Sequence, residues 1–244
     1  MKTNRLPLPL LFASLITALS SSAMAQGDSC KAVSAAVAPT VVELYTSEGC
    51  SSCPPADRWL STLKGRADVL PLAFHVGYWD NLGWVDRFAK PEFTERQRQW
   101  SRLHRSSSVY TPQVVADGQD WRQWPSVPKP RGPAPVTVSL QRKGDQVLAS
   151  VSSAASGTPA LAGYWAVLED NHISKVKAGE NSGETLKHDH VVRLVQPVAE
   201  WVSGAGYKSA LKVNAGEAQN PRRVVFVVVN AKTQQPLQAV SLGC

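Results

Sequence analysis

No methionine follows Met24 in the 244-residue chain, which excludes a methionine-based copper carrier beyond the N-terminal leader. Long apolar runs are scarce as well. The stretch from Leu6 to Ala18 is too short to span a bilayer comfortably, and no run of spanning length occurs later. Cysteine is confined to Cys30, Cys50, Cys53 and Cys244, and a second Cys-x-x-Cys or a His-x-x-x-His is missing. A dithiol zinc site would need such a second pair of ligands, so no metal is expected. Charge of one sign is only mildly in excess, with 26 Lys and Arg against 19 Asp and Glu. Lys2 and Arg5 supply two of the net +7, leaving +5 beyond residue 25. An excess of that size aids solubility or meets an anionic envelope surface, and nucleic acid is not an expected partner.

What is present begins with a leader. Lys2 and Arg5 precede the apolar run, and Ala23-Met24-Ala25 has the small-x-small form of a signal-peptidase site. Residues 1–25 therefore read as a signal peptide cut before Gln26, which predicts a periplasmic or secreted protein with no transmembrane anchor.

Val41–Tyr45 reads as a buried strand running into the turn Ser47-Glu48-Gly49-Cys50. Ala56, Trp59, Leu60 and Leu63 recur at helical spacing, with Pro54 and Pro55 tolerated in the first turn and Gly65 as a stop. A strand over Val69–Val76, a helix over Pro91–His104 and a strand over Gln113–Asp117 follow. Residues 26–124 form the first expected domain. Five prolines between Pro125 and Pro135 then predict a stiff linker. From 136 to 244 the pattern alternates: Val136, Val138 and Leu140 face Val147, Ala149 and Val151 across Lys143-Gly144-Asp145. Further short strands at 163–168, 191–195, 210–213, 224–229 and 237–242 predict an all-β, sandwich-like second domain.

Cys50-Ser51-Ser52-Cys53 sits between a strand and a helix, which places Cys50 at the positive end of a helix dipole. That position stabilises a thiolate. It predicts Cys50 exposed at the helix start and Cys53 deeper, beneath the two prolines. Thr111-Pro112 opens a later strand, where a cis bond would present the Thr111 backbone to an extended substrate. His75, Tyr78 and Trp79 follow the second strand and are candidates for the wall of a substrate cleft, or else a cap over the core. Glu43 is a candidate proton acceptor for Cys53, or a paired strand carboxylate. His188 and His190 would point to one side of a strand, short of a coordination set. With Cys50 and Cys53 paired, Cys30 and Cys244 remain to form a structural bridge across the chain.

These elements resemble the thioredoxin superfamily. More narrowly, Glu43–Asp57 with its Cys-x-x-Cys, Phe74–Asp80, Leu82-Gly83-Trp84 and Tyr110–Val115 are similar to a bacterial family of secreted thioredoxin-like proteins of uncharacterised function. Gly77 departs from the motif, where an acidic residue is common. The resemblance covers most of residues 41–118 and implies an α/β thioredoxin-like N-terminal domain, its closing helix shortened or absent, with a β-rich C-terminal part. The function expected is thiol–disulfide exchange with protein or small thiol and disulfide substrates of the cell envelope. Cys50 would attack, Cys53 would resolve, and Thr111 and Pro112 would bind substrate, with no organic cofactor. Two alternatives stand beside it. One is a non-catalytic envelope binding module with the dithiol permanently oxidised; the other is metal handling by the dithiol and His75.

Overall fold

The computed structural model describes residues 1–2, 30–152, 154 and 157–244. The cut before Gln26, and all of the leader except Met1 and Lys2, lie outside the described residues.

In chain order the elements are β1 (Lys31–Val33), β2 (Thr40–Thr46), α1 (Pro54–Ser61), β3 (Val69–His75), α2 (Pro91–Leu103), β4 (Gln113–Ala116) and β5 (Gln119–Asp120). Only strands follow: β6 (Val138–Lys143), β7 (Gln146–Val151), β8 (Leu161–Glu169), β9 (His172–Lys175), β10 (Thr185–His188) and β11 (Val191–Trp201). The last are β12 (Tyr207–Lys212), β13 (Arg222–Asn230) and β14 (Pro236–Gly243). Both α-helices open on proline, whose missing amide would find no partner in a first turn anyway. α1 turns Ala56, Trp59 and Leu60 inward, and α2 turns Phe93 and Gln97.

An α/β thioredoxin-like domain followed by a separate sandwich is not what the chain builds. The described residues are mostly strand, with two α-helices, and one eight-stranded sheet runs through both halves in the order β14-β13-β8-β11-β3-β2-β4-β5. The halves meet where β11 lies parallel to β3 through Val191 and Ala73, and the Ala73 amide donates to the His190 carbonyl at 2.9 Å. β2 and β3 are also parallel, and the other neighbours in this sheet run antiparallel. The interior is shared in the same way. Tyr45, Phe74 and Phe93 fall in one buried cluster with Tyr164, Ala166, Val225 and Val227. Alternation along a strand shows which face is buried, but not which distant strand will lie beside it. That missing information is what the two-part reading lacked.

α1 covers one face of β2, β3 and β4 through Trp59, Leu60 and Leu63 against Val42, Leu44 and Val114. A second sheet, β1-β6-β7-β12, packs on the C-terminal part of the large one through Val138, Leu140, Val147, Trp165 and Phe226. Residues 125–135 lie against the approach to β2: Thr40 Oγ1 donates to the Pro128 carbonyl, and the Ala134 amide to that of Ala36. Cys30 and Cys244 are bonded, with Cα atoms 6.3 Å apart, tying the start of β1 to the end of β14. β9 and β10 form a separate two-stranded ribbon that reaches back over the start of α1. No helix among the described residues is long and apolar enough to cross a membrane.

Candidate functional site

β2 is buried along its whole length and delivers the chain to Ser47, Glu48 and Gly49, also buried. The Cys50 amide then donates to the Ser47 carbonyl and the Cys53 amide to that of Cys50, winding the chain into α1. Cys50 and Cys53 are disulfide-bonded across this turn, with Cα atoms 5.4 Å apart, and Cys53 is the N-cap of the helix. Gly49 is needed for close approach. A side chain there would begin 3.1 Å from Trp79 Cβ and 3.3 Å from the Trp79 carbonyl oxygen.

Neither sulfur-bearing residue is open to solvent, contrary to the expectation for Cys50: its exposure is 1 %, and that of Cys53 is 0 %. The loop between β9 and β10, which arrives from the far half of the sequence, is bonded to the backbone of this turn. Asn181 Nδ2 donates to the carbonyls of Glu48 (2.8 Å) and Cys50 (3.1 Å). Glu180 Oε2 accepts from the Ser51 amide at 3.0 Å. Replacing Asn181 with alanine removes two hydrogen bonds, together worth about 1–3 kcal/mol. If the loop must lift before a thiol reaches the disulfide, reduction by dithiothreitol should then quicken roughly tenfold. An unchanged rate would show that the loop is not the barrier.

Pro112 is in cis and immediately precedes Gln113, which pairs with Tyr45 in β2. Thr111 and Pro112 thus stand at the same end of the sheet as the Cys50 turn. Trp79 links the two, packing on Gly49 and donating its indole N–H to Thr111 Oγ1 at 2.7 Å. Tyr78 instead lines a shallow cleft with Lys90, Thr94 and Arg98.

His75 is wholly buried and belongs to a polar cluster next to the dithiol turn. Its Nδ1 lies 2.6 Å from Asp86 Oδ2, and Asp86 is itself held by the amides of Glu48 and Phe88, each at 2.9 Å. Burial pushes the His75 imidazole down, but the Asp86 carboxylate, with Asp57 and Glu48 behind it, outweighs this and raises it. Asp57 is moved up by burial in turn, and Thr46 Oγ1 donates to its Oδ2 at 2.9 Å. His188, at the end of β10, stacks edge-on against His75 with ring centroids 4.9 Å apart. Its Nε2 lies 3.2 Å from Glu48 Oε1, and Glu48 Oε2 accepts from the Trp84 indole at 2.7 Å.

Residues 41–229 match the family described as "Protein of unknown function (DUF1223)". This chain belongs to that family. A structural-genomics crystal structure of a protein from Agrobacterium tumefaciens is similar over 84 % of this chain and 94 % of that one, at 29 % identity and a TM-score of 0.66. HBP35 of Porphyromonas gingivalis is similar in fold, at 16 % identity and a TM-score of 0.54, over 85 % of this chain and 76 % of that one. No curated protein matches.

In this DUF1223 chain Glu43 takes the second of its two readings, a paired strand carboxylate, and His190 stands elsewhere than the sequence suggested. Glu43 accepts from Tyr45, Tyr164 and Arg96, on the α2 side of the sheet, while α1 and the dithiol are on the other. His190 parts from His188 because β10 ends at His188 and His190 has φ +59, which breaks the alternation. It contacts Arg223 and Asp170 instead. Asp86, Glu180 and Asn181 carry no sequence signal of their own. Their roles come from loops that only the assembled sheet brings to Cys50.

Proposed function

We propose that this protein exchanges thiols and disulfides through Cys50 and Cys53, with protein or small-molecule thiols and disulfides of the cell envelope as partners. The observation that carries the reading is the closed bond across the turn from β2 into the first turn of α1. There, the positive end of the helix dipole favours the thiolate released on reduction. Two disulfides in one chain suit an oxidising location outside the cytoplasm.

In the reduced protein the Cys50 thiolate attacks a substrate disulfide, forming a mixed disulfide and expelling one substrate thiolate. Cys53 then attacks the Cys50 sulfur, frees the second substrate thiolate and restores the internal bond. Two electrons pass to the substrate, and the reverse sequence oxidises a substrate dithiol. Either direction requires the Asn181 and Glu180 contacts to release the turn.

Cys53→Ser removes the resolving thiol, so this variant should accumulate covalent partners in envelope extracts, and Cys50→Ser should accumulate few. Mass spectrometry of the reducible adducts identifies the substrate class. The burial of both cysteines favours a second reading, a binding module whose disulfide stays closed. An empty trap, together with wild-type protein that resists ordinary thiol buffers, would make the module the better account.

A further inference from the structure

Asp57, His75 and His188 each offer a ligand atom, and these atoms lie within 4.8 Å of one another. All three residues are at least nine-tenths buried, with exposures of 7 %, 0 % and 3 %. His75 Nε2 and His188 Nδ1 are buried and have no hydrogen-bond partner among the described residues. Asp86 accounts for the free His75 nitrogen. An ionised carboxylate only accepts, so Nδ1 carries the proton it takes, and an incoming cation displaces any proton on Nε2 and binds the lone pair there. A carboxylate that fixes a histidine in this tautomer is the usual support for a metal-binding imidazole. Thr46 and Trp84 hold Asp57 and Glu48 in the same manner.

Glu48 Oε1 pairs with His188 Nε2 at 3.2 Å, which supports that ring as Asp86 supports His75 and leaves His188 Nδ1 without a partner. Two atoms that share a tetrahedral zinc at about 2.0–2.1 Å stand roughly 3.3 Å from one another. The 4.8 Å limit on the ligand atoms of Asp57, His75 and His188 asks for a contraction of about 1.5 Å at most. A cleft of about 520 Å³, lined by Ser51, Asp57, Arg58, Glu180 and His188, leads in from solvent. Buried ring nitrogens left without a partner are costly, and a cation relieves them.

We infer that Asp57, His75 and His188 form a binding site for one divalent transition cation of the zinc class, with a fourth position open to water from the cleft. Two imidazoles and one carboxylate suit such a borderline ion better than calcium or magnesium, which take oxygen alone. The site uses no cysteine and does not depend on the exchange chemistry of Cys50 and Cys53.

The test is calorimetric titration of metal-free mature protein, its disulfides closed, with Zn²⁺. One equivalent should bind. His188→Ala and Asp57→Asn should each weaken binding at least 100-fold, and Asp86→Asn, which only loosens His75, about 10–100-fold. Circular dichroism checks that each variant is folded. Zinc absorption spectroscopy of the loaded wild type adds a reading that needs no variant. Nitrogen and oxygen at about 2.0 Å, with an imidazole pattern, support the site. No uptake by the wild type, sulfur bound to the zinc, or affinity unchanged in folded His188→Ala would overturn it.

Discussion

Glu43→Ala should lose roughly 3–5 kcal/mol of folding stability, the usual effect of breaking a buried ion pair from one side. Glu43 and its strand neighbours are buried where α2 crosses the sheet. Its two oxygens accept from Arg96 Nη2 at 2.5 Å, Tyr164 Oη at 2.8 Å and Tyr45 Oη at 3.1 Å. Burial raises both tyrosines well above the ordinary phenol value, and the Glu43 carboxylate adds to this, so they stay protonated donors. Alanine would leave two buried hydroxyls and a partly buried guanidinium without their acceptor. The residues come from β2, α2 and β8, so the loss falls on the joint between the two halves of the sequence. Urea unfolding should show a lower midpoint with an unchanged slope. A loss below about 1 kcal/mol would mean that water or a new partner replaces Glu43.

Cys30→Ser with Cys244→Ser should have a comparable or larger effect. The bond spans 214 residues, and the chain-entropy model assigns such a loop about 5 kcal/mol. Cys50 and Cys53 are three residues apart, for which the same model gives only about 2 kcal/mol. The two double variants therefore form an internal comparison. Thermal or urea unfolding under non-oxidising handling should rank wild type above the Cys50/Cys53 variant, and that above the Cys30/Cys244 variant. Non-reducing peptide maps of the wild type should contain the Cys30–Cys244 peptide. The reverse ranking would show that the long bridge adds strain in the folded state rather than restricting the unfolded one.

Local signals carried much of the element list. The helix expected over 91–104 ends one residue earlier, at Leu103, and the strand expected over 69–76 also ends one earlier, at His75. Proline at a first turn and β-branched runs are decided within a few residues, so the sequence displays them directly. Partnership between distant segments is not decided locally. Nothing in Val191–Trp201 announces that it lies beside Val69–His75, and the single eight-stranded sheet depends on that contact. The candidate site divides along the same line. Cys50 and Cys53 are legible as a pair because three residues separate them. His75 and His188 become neighbours only after β10 folds over α1, and Asn181 reaches Cys50 on the same ribbon. Asp57 was visible one turn beyond Cys53, but it had no recognisable purpose until two imidazoles stood next to it.

The Cys30–Cys244 bond also changes the connectivity of the molecule. Between those residues the chain is a covalent ring, so a single backbone cut releases nothing. A peptidase that nicks the proline-rich stretch between 125 and 135 converts the ring into a linear chain with new ends there. The two pieces stay in one molecule, held by the bridge and by the shared sheet. Only a reductant acting on that bridge makes them separable. While that bridge stays oxidised the protein can therefore lose a peptide bond and remain a single covalent body.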